Sequence, residues 1–328
     1  MWRIRDFKKW DEEGRPINEN VIELDISYSN IDFLGNLKNL INLERLCCAC
    51  TQLTSLKGIE NLNNLKKLNC YNNVLTSLEG IENLINLREL CCYENQLTSL
   101  EGMKNLINLE KLYCGSNQFI SLEGIENLIN LRELNCYNNQ LTSLEGMENL
   151  VNLVHLCCGN NQLTSLEGIE NLVNLTHLYC HNNQLTSLEG IENLVNLIHI
   201  YCENNQLTSL EGIENLVNLE DLFCHDNQLT SLEGIENLNS LLSLKYLNCH
   251  DNQLTSLEGI ESLVKLIKNN KQIKNNIKYN FIDSDDFIEL NDLFGNLIEC
   301  DDDKIDEYIE EIEKMIKELN GFQKYVLK

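Results

Sequence analysis

Leucines recur along most of this chain at a fixed interval. Leu65, Leu87, Leu109, Leu131, Leu153, Leu175, Leu197 and Leu219 each stand 22 residues after the one before. Between them one phrase repeats from residue 21 to about 266: L-x-x-L-x-C-x-x-N-Q-L-T-S-L-E-G-I-E-N-L-x-N. In the unit Leu87 to Asn108, Leu90 and Cys92 alternate with Glu89, Cys91 and Tyr93. A period of two predicts a short strand with Leu90 and Cys92 turned inward and their neighbours turned out. Leu97, Leu100, Met103 and Leu106 then fill the interior from the return side. The return is too short for a helix plus two turns, so extended backbone or a short 3₁₀ turn around Gly102 and Met103 is expected, with modest curvature. Self-similarity at this period means a solenoid in which each unit packs on its neighbours. Eleven units, Val21 to about Leu266, predict a parallel sheet roughly 50 Å long at about 4.8 Å per strand.

Two ladders run through the repeats. Asn73, Asn95, Asn117, Asn139, Asn161, Asn183, Asn205, Asn227 and Asn252 fall where each strand bends into its return, with Thr51 and Ser29 at the first positions. An amide both donates and accepts, so it can satisfy backbone groups that the bend strips of sheet partners. Cys48, Cys70, Cys92, Cys114, Cys136, Cys158, Cys180, Cys202, Cys224 and Cys249 form the second ladder, at an inward strand position. Small buried thiols read as core: in-register neighbours point the same way, a poor disulfide geometry, and burial keeps a thiol inert. Cys47 and Cys50 form a C-x-x-C, but along a strand rather than at a helix N-terminus.

The ends differ. Residues 1–20, with Trp2, Phe7, Trp10 and Pro16, read as an N-terminal cap. The leucine interval stretches to 25 between Leu219 and Leu244, which places an insertion near residues 239–241 on the return side. Beyond Leu266 the repeat ends in a Lys/Asn-rich stretch (Lys268, Lys271, Lys274, Lys278) and then an acidic one. Residues 267–328 form the C-terminal segment. Its stripe of Ile305, Tyr308, Ile309, Ile312, Met315, Ile316 and Leu319 predicts an amphipathic helix over 304–319, with Asp303 as N-cap and Gly321 as the stop. Covering the open sheet edge is the expected task of that helix.

Composition narrows the function. The formal charge is −26 over 328 residues, which argues against nucleic acid or an anionic membrane as partner. The N-terminus lacks the apolar run of an export signal, and fifteen cysteines then suit a reducing compartment; a cytoplasmic protein is expected. Paired glutamates on the returns (Glu79 and Glu82, through Glu258 and Glu261) read as a solubilising, mutually repelling surface. No nucleophile–base pair or phosphate loop is apparent, so no catalytic residue, no cofactor and no enzyme activity are expected.

The L-x-x-L, the turn asparagine and L-T-S-L-E-G-I-E-N-L resemble the internalin type of leucine-rich repeat. They are similar also to repeats of eukaryotic protein-phosphatase regulatory subunits. Cysteine at the third leucine position, with much Asn, Ile and Lys and little Pro, resembles giant-virus repeat proteins, which would place the chain in host cytoplasm. The resemblance implies an α/β solenoid: a leucine-rich repeat horseshoe with a parallel sheet on the concave face, short 3₁₀ or extended returns on the convex face, and a C-terminal helical cap. It implies protein–protein recognition on the concave face.

Outward strand positions vary along the chain. Early columns (Arg45, Lys67, Glu89, Lys111, Glu133; and Arg88, Glu110, Arg132) are charge ladders in which opposite charges on adjacent strands can pair. Later columns change to His155, His177, His199 and Asp221; Tyr179, Tyr201 and Phe223; and His181, Glu203, His225 and His250, with Asp226 and Asp251 alongside. Rings framed by acidic and hydrogen-bonding groups have the composition of an interaction hot spot. Tyr179, Tyr201, Phe223, His177, His199, His181, His225, Glu203, Asp221 and Asp226 are therefore the candidate site for a protein or peptide. Rings that only stabilise the sheet are the plainer alternative, an adaptor that presents a bound protein to an enzyme is another, and a structural or virion component without ligand is a third. A metal on the row His155, His177, His199 is not expected: an even row is a poor tetrahedron, and no carboxylate is evident to orient it.

Overall fold

The computed structural model describes residues 1–234, 244–254, 264, 277–278 and 304–326. The chain divides into two compact units, Met1–Gln162 with Glu167–Leu175, and Leu163–Leu166 with Thr176–Lys328. The insertion expected at 239–241 and the N-cap expected at Asp303 lie outside the described residues.

The first unit holds strands β1 (Trp2–Arg3), β2 (Glu23–Asp25), β3 (Arg45–Cys47), β4 (Lys67–Asn69), β5 (Glu89–Cys91), β6 (Lys111–Tyr113), β7 (Glu133–Asn135) and β8 (His155–Cys157). Each pairs in parallel with the next, in the register of the repeat: Leu24 opposite Leu46, Leu68 opposite Leu90, Leu90 opposite Leu112. The second unit holds β9 (His177–Tyr179), β10 (His199–Tyr201), β11 (Asp221–Phe223), β12 (Tyr246–Asn248) and β13 (Ile277–Lys278), parallel to one another and in chain order. The pair Ile277–Lys278 lies beyond the repeat phrase. The Lys/Asn-rich stretch carries no repeat signature, yet it adds a strand beside Leu247 and Asn248.

Strand burial follows the period of two. Leu90 and Cys92 are fully buried, while Glu89, Cys91 and Tyr93 are partly exposed. The return is a string of separate turns rather than a 3₁₀ helix. Met103 N–H bonds Leu100 O (3.1 Å), Leu106 N–H bonds Met103 O (2.8 Å), and Leu109 N–H bonds Leu106 O (2.8 Å). Each bond spans three residues, and each turn starts where the last one closed, so one leucine or methionine per turn points inward. Leu97, Leu100, Met103 and Leu106 are all buried. Glycine is required at the start of this path: Gly124 has φ +108°, and a Cβ there would lie 3.0 Å from Leu100 O.

Asparagines do more than the pattern suggests. Besides the buried ladder, a second set caps the turn before each strand: Asn108 Nδ2 donates to Ile85 O (2.8 Å), Asn130 to Ile107 O (2.8 Å) and Asn152 to Ile129 O (2.9 Å). The return glutamates also need correcting. In each described pair the second accepts a backbone bond: Gly124 N–H donates to Glu126 (2.9 Å), Gly146 to Glu148 (3.1 Å), Gly190 to Glu192 (3.0 Å). Half of that acidic surface therefore holds the turn together.

The N-terminal residues cover the first repeat. β1 pairs onto β2, and helix α1 (Ile4–Glu12) buries Phe7 and Trp10. Trp10 Nε1 donates to Pro16 O (2.8 Å), and the Arg15 guanidinium lies over both rings at 5.4 and 5.5 Å. Helix α2 spans Ile305–Val326 and runs through Gly321, where the sequence predicts a stop. Glycine inside a helix costs only about 1 kcal/mol and need not end it. Ile305, Ile309 and Ile312 on its predicted stripe are buried. No helix among the described residues is long and apolar enough to cross a membrane.

Candidate partner-binding face

In the first unit the outward face neutralises itself. Lys67 pairs with Glu89 (2.5 Å), Lys111 with Glu133 (2.5 Å), Lys66 with Glu44 (2.7 Å), and Arg88 with Glu110. Arg45 faces Lys67 in register and turns instead to Glu23. These are exposed pairs of the kind worth about 0.2–1 kcal/mol each. They leave little uncompensated charge on β2–β7.

In the second unit, β9–β12 carry a different surface on the same strand positions. All ten candidate residues belong to this unit. The middle outward position holds Tyr179, Tyr201 and Phe223, which register opposite one another. Their rings form a continuous stack: Tyr179 and Tyr201 are 4.9 Å apart and edge-on, Tyr201 and Phe223 are 4.5 Å apart. The row ends at Asn248, which takes the next register place and is buried. Ring pairs of this geometry contribute about 0.5–1.5 kcal/mol. Below them Leu178, Ile200 and Leu222 already fill the core.

The flanking columns supply polar groups. His177 and His199 stack at 4.5 Å, and His199 Nδ1 lies 2.6 Å from Asp221 Oδ2, so the ring donates there. That bond is the orienting carboxylate which the sequence does not reveal. His177 Nδ1 is 2.8 Å from Thr176 Oγ1. On the other side, His181 Nδ1 stands 4.0 Å from Glu203 Oε1. Burial pushes the His181 imidazole down, and burial with the nearby Asp226 charge pushes the Glu203 carboxyl up. Both shifts favour the neutral forms of a polar pair set against the rings. The Tyr201 phenol is raised by burial and by the charges of Asp221 and Glu203.

Three features of this face escape the pattern. Tyr246, 45% exposed, continues the first column beside Asp221. It breaks with the His and Asp that precede it in that column, His155, His177, His199 and Asp221. Asn248 Oδ1 is buried without a hydrogen-bond partner. Asp226, His250 and Asp251 converge, with one ligand atom of each within 4.8 Å of the others. The visible signal for that cluster is a His-Asp doublet repeated at 225–226 and 250–251.

The repeats match a known family. The model described as leucine-rich repeats in two copies matches nine overlapping windows, from residues 41–83 to 217–262. Among solved structures, an internalin (inlF) of Listeria monocytogenes is similar at TM-score 0.71 and 22% identity, over 80% of this chain and 83% of that one. A leucine-rich repeat protein of Leptospira interrogans is similar at TM-score 0.66 and 29% identity, over 85% and 81%. A third similar structure is an octameric complex of Latrophilin 3, Unc5D and FLRT2, in which FLRT2 contributes leucine-rich repeats, at TM-score 0.64 and 21% identity over 80% and 84%. No curated protein sequence matches the chain. With its family model covering most of its length and its strands stacked one per repeat, the chain belongs to the leucine-rich repeat family, with repeats like those of the internalins.

Proposed function

We propose that the chain is a non-catalytic binding module that holds a protein or peptide on the outward face of β9–β12. The ring row Tyr179–Tyr201–Phe223 is the observation that carries this reading. In the first unit the same position holds Cys47, Asn69, Cys91, Tyr113, Asn135 and Cys157, and the strands pair equally well. The fold therefore does not require aromatic residues there. Rings on a sheet face above a completed core offer large rigid contact area, and Glu203, Asp221 and Asp226 frame it with acceptors. Such a rim suits a partner segment rich in Lys or Arg. The family is one whose members generally act through protein contacts, and the complex containing FLRT2 is consistent with that. The adaptor reading needs a second, free contact surface on α2, and the burial of Ile305, Ile309 and Ile312 disfavours it. α2 serves on this reading as a C-terminal cap. Fifteen cysteines, ten of them on an inward ladder, suit a reducing cytoplasm, that of a host if the chain is viral.

The experiment compares capture from cytosol by wild type and by a Tyr179→Ala, Tyr201→Ala, Phe223→Ala variant of matching circular dichroism. A captured protein is then purified and titrated against both. Binding lost by about 100-fold or more in the variant supports the reading, in line with the about 2 kcal/mol or more that one hot-spot residue contributes. Equal binding by both removes the face as the site and favours a component with no ligand there.

A further inference from the structure

We propose that a divalent transition-metal ion binds just beyond β11 and β12, held by Asp226, His250 and Asp251, with His225 as a fourth donor. Both strands run into the same tetrapeptide, Cys-His-Asp-Asn, at 224–227 and 249–252. The Asp of each sits in the left-handed region, φ 52° for Asp226 and 51° for Asp251. The equivalent position is Asn72, Asn138, Asn160, Asn182 and Asn204 in five other repeats, with φ of 51–56°, and Tyr28, Cys50, Glu94 and Ser116 in the rest. Asn and Asp both tolerate that conformation, so the backbone does not call for a carboxylate. Two carboxylates on neighbouring turns repel each other. A cation between them turns that repulsion into attraction.

The geometry is nearly assembled. One ligand atom each of Asp226, His250 and Asp251 lies within 4.8 Å of the other two. The His225 and His250 rings stack at 4.6 Å, and His225 Nε2 is 3.8 Å from Asp226 Oδ2. Backbone bonds brace the two turns together: Asp226 N–H to His250 O (3.1 Å) and Asn227 N–H to Asp251 O (3.3 Å). The Asp226 and Asp251 side chains are 45% and 56% exposed, so an ion reaches them from solvent and they can close on it by rotation. His250 Nδ1 now bonds Asp251 Oδ2 at 2.6 Å, and an ion would replace the proton they share. Imidazole nitrogens with carboxylate oxygens suit Zn²⁺, Co²⁺ or Ni²⁺, whereas Ca²⁺ and Mg²⁺ prefer oxygen donors alone. The site adjoins the ring row, sharing Asp226 with its rim and meeting it where the Phe223 and His225 rings lie 6.5 Å apart, although Tyr179, Tyr201 and Phe223 supply it no donor.

The test is titration of the full chain with Zn²⁺ by calorimetry and with Co²⁺ by visible absorption. The comparison is an Asp226→Asn, Asp251→Asn variant, which restores at both places the residue that five other repeats carry and so preserves the fold. Wild type is expected to bind one equivalent at micromolar affinity, with cobalt bands free of thiolate charge transfer. The variant and a separate His250→Ala variant are expected to bind at least about 10-fold more weakly. Either of two results overturns the proposal: no wild-type binding tighter than about 100 μM, or unchanged binding in the variants, which would place the ion on thiols elsewhere.

Discussion

Asn95 Oδ1 accepts the backbone N–H of Leu75, one repeat earlier, at 3.0 Å. Its Nδ2 donates to Cys70 O (3.0 Å) and Cys92 O (3.1 Å), so one side chain satisfies buried groups of two successive repeats. Asn95→Ala would strand a donor and two acceptors away from water, at about 1–3 kcal/mol for each left unpaired. We expect a loss of about 3 kcal/mol by urea denaturation. Asn95→Asp should cost at least as much, because its oxygens would face the same carbonyls. A loss below about 0.5 kcal/mol for both would mean that water reaches these groups. The exposed second ladder should respond differently: Asn108→Ala frees Ile85 O to solvent and should cost about 1 kcal/mol or less.

That contrast marks what the residue pattern makes legible. Strand, core and turn ladder follow from Leu90, Cys92 and Asn95 because burial repeats with the sequence period. The ring row is equally readable, since Tyr179, Tyr201 and Phe223 keep the interval of 22. Tyr246 and the pairing of Ile277 are not, because Tyr246 breaks with the His and Asp of its column and Ile277 has no repeat phrase around it. Partners set by rotamers are hidden as well. Asp221 orients His199, and Glu148 caps Gly146, yet in sequence each carboxylate looks only like surface charge. Thr51 shows the reverse case: its hydroxyl bonds Cys48 O at 3.0 Å and Asn73 Oδ1 at 2.5 Å, so the apparent drift from Asn is a working substitute.

The cysteine ladder should be silent toward thiol reagents. Burial raises every described ladder thiol for which a shift is resolved, and Cys114 and Cys249 are pushed up to about 12. Several also donate from Sγ to the next strand, as Cys70 does to Cys91 O at 3.3 Å. Cys47, Cys50, Cys91 and Cys157 are only half-buried. In a Cys300→Ser background, native protein at pH 7.5 should label at those four positions at most, and denatured protein at all fourteen that remain. Rapid labelling of Cys92 or Cys136 in native protein, read by peptide mass spectrometry, would show that the sheet opens.

Glu133 gives stability a defined dependence on pH. Burial pushes its carboxyl up, but bonds from Lys111 Nζ (2.5 Å) and Tyr113 OH (2.5 Å) outweigh that and hold it below the usual carboxylate value. A carboxyl depressed in the folded state stabilises above its unfolded value, and the benefit fades as pH falls through the folded value. Glu133→Gln should therefore cost about 0.5–1 kcal/mol at pH 7, with solvent screening keeping it small. The difference from wild type should stay constant from pH 8 to about 5 and shrink below that. A difference that grew on acidification would reverse the assigned sign.

Glu145 and Glu148 stand three residues apart on one exposed return and should answer oppositely to removal. Both are exposed, but Glu148 accepts the Gly146 N–H through both oxygens at 3.1 Å, and Glu145 makes no such bond. Similar carboxylates recur one repeat away on either side, Glu123 and Glu167 for the first, Glu126 and Glu170 for the second. Deleting either charge relieves repulsion between neighbouring repeats, a benefit that salt screens over a Debye length of about 10 Å at 0.1 M. Only Glu148→Ala also loses a bond to a turn whose Gly146 lies at φ +96°. At 10 mM salt Glu145→Ala should raise the melting temperature, and the gain should vanish by 200 mM. Glu148→Ala should lower it at both, by the equivalent of about 0.5–1.5 kcal/mol, and more clearly at the higher salt where relief of repulsion no longer offsets the lost bond. Matching behaviour of the two variants would mean that the Gly146 contact is not maintained in solution, and the paired glutamates would then act on stability through charge alone.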